Sequence, residues 1–393
     1  MARKMKDSSI EWIGEIPEGW ETQKLKYYAT VTSGEILSKD EYDFSGDIPV
    51  IGSNGKIGTT YKSNNHSEVI TTGRVGTIGT AQIVQDAWIT DNALIIKSHS
   101  ISRPFLTYVI PNFDFKFMLS GTAQPLITAT KLKNQYIPVP SSEVQDKLVQ
   151  YLNTQIFNLS HLISQVCSSI ELYKKFKQAV ITQAVTKGVR GEREMKDSGV
   201  EWIGEINHRF SLIKLKYICS ILDQYRKPIS ADKRSQSGSI LYDYYGASGA
   251  IDKIDDYTID DHVMLIGEDG ANLRMRNLPL MYEVNGKAWI NNHAHILKPT
   301  ERVDFYYLFY ALEGLDINPY ITGSAQPKLS QEKLQNIWVP LPDFEEQQEI
   351  AIYIRSKCAE IDGVIAKKEL LVKELESYKK SLIYEVVTGK QEV

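Results

Sequence analysis

At 393 residues the chain has room for two or three domains, each with its own core. An apolar share of 42%, a charged share of 24% and a formal charge of −4 exclude a chain that is basic throughout, but not a basic patch or charge recruited from partner subunits. No apolar run approaches the roughly 20 residues that span a bilayer, and Cys167, Cys219 and Cys358 have no C-x-x-C spacing, which excludes a zinc site or disulfide framework built on them and suits a reducing cytosol. The basic start, Met-Ala-Arg-Lys-Met-Lys-Asp, is followed by no apolar h-region, so the chain reads as cytoplasmic.

Residues 6–27 open with Lys-Asp-Ser-Ser-Ile-Glu-Trp-Ile-Gly-Glu-Ile, and residues 196–217 open with Lys-Asp-Ser-Gly-Val-Glu-Trp-Ile-Gly-Glu-Ile. The same shift carries Lys24-Leu25-Lys26-Tyr27 onto Lys214-Leu215-Lys216-Tyr217. This is an internal duplication, and it governs the reading of the fold. Trp12 and Trp202 are expected to anchor each copy by burying a large side chain. Beyond Tyr27 the copies drift, but landmarks persist. Gly52-Ser53-Asn54-Gly55 matches Gly246-Ala247-Ser248-Gly249, and Gly73-Arg74-Val75-Gly76 matches Gly267-Glu268-Asp269-Gly270. Trp88-Ile89 and Ala93 match Trp289-Ile290 and Ala294, and Gly121, Ala123, Gln124 and Pro125 match Gly323, Ala325, Gln326 and Pro327. Short apolar runs punctuated by glycine (67–71, 81–84 and 93–97) predict strands joined by turns. Segments 105–110 and 305–312 predict short buried helices, with the Tyr306–Tyr310 cluster as core rather than a base-stacking platform.

Each globular stretch closes on a proline-rich exit, Ile137-Pro138-Val139-Pro140 and Val339-Pro340-Leu341-Pro342, which sets the direction in which the chain leaves. After the first exit, Gln145, Leu148, Leu152, Ile156, Leu159, Ile163, Val166, Ile170 and Tyr173 recur in steps of three and four. That is one apolar seam at nearly heptad spacing. No Pro or Gly lies between Pro140 and Gly188, so a single helix is predicted from Ser141 to Lys187. A helix of that length cannot hide its seam inside a compact domain and needs a long partner. A shift of 202 supplies one: Leu148 falls on Ile350, Leu152 on Ile354, Leu159 on Ile361, Ile163 on Ile365 and Ile170 on Val372. Tyr173 falls on Leu375, Phe176 on Tyr378 and Val180 on Leu382; one step fails, Val166 falling on Lys368. Two such helices predict a coiled coil. The expected division is 1–141 for the first globular domain with its lead-in segment and 142–188 for the central helix. A polar, glycine-bearing linker at 189–195, the second domain at 196–343 and the distal helix at 344–393 complete it. Parts held constant between copies are expected to be scaffold, and parts that diverge to be recognition surface.

No Gly-x-x-x-x-Gly-Lys-Ser/Thr loop for a nucleotide phosphate is present. Asn318-Pro319-Tyr320 resembles the Asn-Pro-Pro-Tyr motif of adenine methyltransferases, but it lacks the second proline and follows no glycine-rich cofactor motif, so it reads as a turn. His293 and His295 share a strand face without a third ligand and read as structural histidines. No catalytic residue and no metal ligand are expected.

The Lys-Asp-Ser-Gly-Val-Glu-Trp-Ile-Gly-Glu-Ile segment after Val185-Thr-Lys-Gly-Val-Arg-Gly191 resembles the specificity subunit of type I restriction–modification systems. So do Gly323-Ser-Ala-Gln-Pro-Lys-Leu329, the Val-Pro-Leu-Pro exit followed by Glu346-Gln347, and Glu385-Val-Val-Thr-Gly-Lys390. The first copy departs from this pattern at Leu126, which stands where Lys328 does, and at Val144-Gln145 in place of Glu346-Gln347. The resemblance implies an α+β fold: two mixed α/β target-recognition domains in tandem pseudo-repeat, separated by two long helices that pair as an antiparallel coiled coil. It implies that each domain reads one half of a split double-stranded DNA target. It also implies that the helices dock two methyltransferase subunits, which bind S-adenosylmethionine, and that restriction subunits join the complex. Two other readings of the chain are a self-contained restriction–methylation enzyme and a scaffold that binds proteins or glycans.

Base reading favours Arg for guanine and Asn or Gln for adenine, whereas phosphate contacts favour Lys, Arg or backbone N–H. On that chemistry the DNA-binding candidates are Lys56, Tyr61, Lys62, Arg74, Gln124 and Lys131 in the first domain. In the second they are Asn272, Arg274, Arg276, Gln326 and Lys328, with the glycine-started loop Gly270–Arg276 as the best single stretch.

Overall fold

The computed structural model describes residues 3–43, 45–118, 126–191, 193–230, 232, 234 and 240–393. The apolar seam becomes one 46-residue helix, Ser142–Lys187, and its repeat a 44-residue helix, Phe344–Val387. Glycines in the left-handed region end both: Gly188 at φ 80° donates its N–H to the Ala184 carbonyl, and Gly389 at φ 73° donates to Val386. The distal helix thus stops at Val387 rather than running to 393, because Gly389 turns the chain. The chain falls into two compact units, Met1–Cys167 with Leu370–Val393, and Ser168–Glu369, so each long helix contributes to both.

Within each unit the two helix segments run antiparallel. In the first, Lys379 Nζ donates to Ser160 Oγ at 3.0 Å and Gln391 Nε2 to Tyr151 Oη at 2.8 Å. In the second, Lys177 Nζ lies 2.6 Å from Asp362 Oδ2, and Lys368 Nζ sits 5.5 Å from the centre of the Tyr173 ring. Lys368 is the residue that breaks the matched seam. Its stem lies half-buried while its ammonium caps an aromatic face, so the register survives. Leu148, Leu152, Ile350 and Ile354 are buried, but Phe176 and Tyr378, expected to continue the seam, face solvent.

Each unit begins with the same lead-in. A short hairpin, Met5–Asp7 with Glu15–Pro17, recurs as Met195–Asp197 with Glu205–Asn207. The next strand pairs with the proline-rich exit: Glu21–Lys24 with Tyr136–Val139, and Ser211–Lys214 with Trp338–Leu341. A two-stranded ribbon tolerates these prolines because half of its backbone N–H groups have no strand partner to lose. Trp12 and Trp202 are not the buried anchors. Trp202 is 37% exposed and Trp12 half-buried, and each meets an aromatic ring edge-on, Phe113 at 5.3 Å and Tyr320 at 5.5 Å. The neighbouring Ile13, Ile16 and Trp20, and Ile206 and Phe210 in the second unit, are buried instead.

A buried glutamine ties each long helix to its globular part. Gln145 Nε2 donates to the Pro140 carbonyl at 2.8 Å and its Oε1 accepts the Ser102 N–H at 2.8 Å. Gln347 repeats this with Pro342 at 3.0 Å and Asp304 at 2.9 Å. Ser102 and Asp304 are themselves the N-caps of the short helices Arg103–Val109 and Phe305–Gly314. One side chain therefore fixes the exit, the long helix and the packed short helix together.

The sheets differ between units. The first has a four-stranded sheet in the order Ala29–Ser33, Ala93–Ser98, Val69–Gly73, Ala81–Val84. Beside it lies a three-stranded sheet of Gly55–Thr60, Ile48–Gly52 and Trp88–Ile89. In the second unit these merge into six strands, because Met281–Ile290 runs unbroken where the first copy is interrupted at Asp86, held at φ 46°. Phe105 and Leu106, and Tyr307 and Leu308, pack the short helices into the two cores, as their sequence predicts.

Candidate nucleic-acid interface

Where the sheets meet, the two units share one backbone frame. Its first part is a hairpin with a bulge, at Val50/Ile51 in one copy and Tyr244/Tyr245 in the other. The turn that starts the inner strand Ala93–Ser98, or Ala294–Pro299, hangs on that bulge: Thr90 N–H donates to the Ile51 carbonyl at 2.9 Å, and Asn291 N–H to that of Tyr245 at 3.1 Å. The hairpin tip presses on a glycine. A Cβ on Gly73 would lie 2.6 Å from the Ser53 carbonyl oxygen, and one on Gly267 would lie 2.8 Å from that of Ala247, so only glycine fits. The next residue bonds across to the strand-start turn, Arg74 N–H to the Asn92 carbonyl at 2.9 Å and Glu268 N–H to that of His293 at 2.8 Å. A returning loop closes the frame through Ile127 N–H to Arg74 O at 3.0 Å and Leu329 N–H to Glu268 O at 2.8 Å. Bridges Val75–Leu126 and Asp269–Lys328 complete it.

The side chains on this common backbone differ. In the first unit Arg74 turns its guanidinium to the Asp91 carbonyl at 3.3 Å, and Asn92 is exposed. In the second, His293 Nδ1 donates to Asp269 Oδ2 at 2.8 Å, and Lys328 reaches Glu268 at 3.1 Å. Burial pushes the Glu268 carboxyl up, but hydrogen bonds from Arg226 and Lys328 outweigh it and hold the group below the usual range. His295 is buried, with Nδ1 against Asp223 at 2.6 Å and Nε2 against the Leu329 carbonyl at 2.8 Å, the structural role expected for it. His293, expected to be structural as well, stands 50% exposed on the frame.

The remaining candidates divide. Lys56 is exposed on its strand, and Tyr61 exposes its ring while its hydroxyl meets Ser45 at 2.8 Å. Lys62 is paired with Glu41, whose carboxyl it holds below the usual range. Lys131 donates to the Met118 carbonyl at 2.9 Å, and Gln326 is exposed. Gln124 lies outside the described residues.

The stretch Gly270–Arg276 is not an open reading loop. Residues Asn272–Met275 form a turn of helix, and all three polar side chains stitch it to the domain. The Asn272 amide bonds Leu278 at both ends, Oδ1 accepting at 2.9 Å and Nδ2 donating at 3.2 Å. Arg274 reaches the Ile321 carbonyl at 3.3 Å. Arg276 reaches the carbonyls of Leu315 at 3.1 Å and Glu313 at 2.5 Å, which the end of helix Phe305–Gly314 leaves without helical partners. Asn92 and Asp269 were not among the sequence candidates, and His293 was read only as structural. Their signal was a variable residue set against repeated Gly and Ala landmarks.

A second surface is common to both units. Lys26 lies 5.1 Å from the ring centre of Tyr27, and Lys216 lies 5.0 Å from that of Tyr217, with both tyrosines 64% exposed. Lys24 over Tyr136 at 5.3 Å and Lys214 over Trp338 at 5.1 Å repeat the motif. Among the described residues no group of three His, Cys, Asp or Glu is placed to hold a metal, and no helix is long and apolar enough to cross a membrane. Burial pushes the Cys219 thiol up to about 12 and that of Cys358 up to about 11, so neither is poised as a nucleophile.

One backbone frame built twice, with unlike polar side chains on it and a long helix following each copy in sequence, defines a two-site recognition protein. The chain belongs to the type I restriction modification DNA specificity domain family, whose model matches residues 17–172 and again 208–363. It is 26% identical to a putative type I restriction enzyme specificity subunit, MjaX, of Methanocaldococcus jannaschii, over 96% of this chain and 95% of that one. It is 32% identical to a putative type I restriction enzyme specificity subunit of Haemophilus influenzae, over 40% of this chain and 37% of that protein. A chain solved in work on complex assembly and conformational transition of the type I R-M system shares the fold, with a TM-score of 0.70 at 14% identity, covering 96% of this chain and 99% of that one.

Proposed function

We propose that each unit of this specificity subunit reads one half of a split double-stranded DNA target, and that methylation and cleavage belong to partner subunits. The observation that carries this reading is the duplicated frame, constant in backbone and divergent in side chains. Two copies of a methyltransferase subunit, each holding its own S-adenosylmethionine, dock on the long helices. Phe176 and Tyr378, exposed at repeat-matched positions, suit two copies of one partner. The helices set the spacing of the half-sites, restriction subunits join the assembly, and the complex works in the cytoplasm.

The test replaces Glu21–Pro140 with the matching part of a relative, reconstitutes the complex with the methyltransferase and maps methylated sites. One half of the motif should change and the other should stay. A change in both halves would refute independent readers, and methyl transfer by the purified chain alone would refute the division of labour.

A further inference from the structure

The two frames share the backbone bonds described above and differ in what they display. We propose that Asn92 and the Asp269-held His293 are the specificity-determining residues of the two units, each reading one base edge of its half-site. This rests on the half-site reading above and names the residues that carry it.

The two occupy one place. Each lends its carbonyl to the residue after the buried glycine, Asn92 to Arg74 and His293 to Glu268. Each precedes a fully buried alanine, Ala93 or Ala294, that begins an inner strand of its sheet. The backbone is thus fixed from both sides while the side chain stays exposed. A reader mounted on a strand end loses little freedom on binding and holds its donor and acceptor in a set direction.

Their neighbours on the frame are already engaged or lack the chemistry. In the first unit Arg74 turns to Asp91, and Val75 and Leu126 are apolar. The Asn92 amide has no partner among the described residues, and it offers the donor–acceptor pair that matches the N7 and N6 edge of adenine. In the second unit Glu268 is tied to Arg226 and Lys328. Asp269 accepts the Nδ1–H hydrogen bond of His293, which points Nε2 outward, where the Nδ1-protonated tautomer offers an acceptor for an exocyclic amino group, that of cytosine or adenine. One frame with two chemistries is what a protein needs to read two unlike half-sites with duplicated domains.

The test uses the full chain in complex with its methyltransferase, and maps methylated sites across genomic DNA for the wild type, Asn92→Ala and His293→Ala. Each variant should relax one base position, about tenfold in discrimination, in one half of the motif, and a different half for each. Asn92→Asp and His293→Gln keep approximate size but alter the hydrogen-bonding pattern, and should shift the preferred base. An unchanged motif in all four variants overturns the inference, as does an equal loss at every site, which would mark a phosphate or scaffold role. If the wild type methylates no split motif, the half-site reading falls first. If it does and the variants copy it, only this assignment falls.

Discussion

Replacing Gln347 by alanine tests whether one buried amide fixes a 44-residue helix to its domain. Gln347 is 1% exposed, and its loss strands the Asp304 N–H and the Pro342 carbonyl, bonded at 2.9 and 3.0 Å. Each buried, unpaired backbone group costs about 1–3 kcal/mol, so the variant should lose about 2–6 kcal/mol. Gln145→Ala strands Ser102 and Pro140 in the same way and should cost a similar amount in the other unit. Urea melts give the size of the loss, and hydrogen exchange read by mass spectrometry locates it. Protection should fall in 168–369 for Gln347→Ala and in the unit of 1–167 and 370–393 for Gln145→Ala. Gln347→Glu adds a pH signature. Its carboxyl can donate to Pro342 only when protonated, and burial raises its folded pKa, so that variant should be most stable in acid and weaken as pH rises through that value. A loss below about 0.5 kcal/mol in both alanine variants would refute the clamp, since that is no more than an ordinary surface substitution costs.

Two further outcomes follow from the surfaces described. If the repeated lysine–tyrosine pairs contact DNA phosphates, Lys26→Ala and Lys216→Ala should each weaken binding to all sequences alike and reduce the salt slope by about 1; a relaxed motif with an unchanged slope would contradict this. Arg276→Ala should leave the methylated motif intact but cost about 1–3 kcal/mol in stability, because the Leu315 carbonyl loses its donor and the Glu313 carbonyl keeps only Gln178 Nε2, at 3.1 Å. The loss should be larger at pH 8 than at pH 5. Burial already holds the Glu313 carboxyl above its usual range, the Arg276 charge opposes that shift, and without it the ionised form becomes costlier. A motif change in this variant would return the stretch to the interface.

The scaffold was legible because it is spelled twice. The lead-in, the exit strands, the long helices and the landmarks Gly73 and Gly267, Ala93 and Ala294 recur in sequence, and each recurs in structure. The merged sheet was not legible, since it turns on one left-handed residue, Asp86, whose counterpart strand runs straight through. Arg274, Arg276 and Asn272 meet backbone carbonyls for a chemical reason. The donors that suit a base edge equally suit a stranded backbone carbonyl, and residue type does not say which acceptor lies within reach. Asn92 was not singled out and His293 was read as structural because strand-start turns give no apolar period; only the repeated alanine beside them marks the place. Trp12 and Trp202 were expected to be buried because of their size and their recurrence in both copies, whereas neighbours such as Ile13, Trp20 and Phe210 face the core.

The unequal composition of the two units bears on the order in which they form during synthesis. Residues 168–369 are contiguous, so the second unit has all its parts once residue 369 has emerged. The first must hold its 167 leading residues open until 370–393 arrive, since Tyr384 Oη bonds the Ile13 carbonyl across 371 positions and Leu382 and Val386 fill its core. Closing so long a loop is entropically slow, and an open core exposes apolar surface meanwhile. The half translated first is therefore the half completed last, and it is where a chaperone would find its substrate.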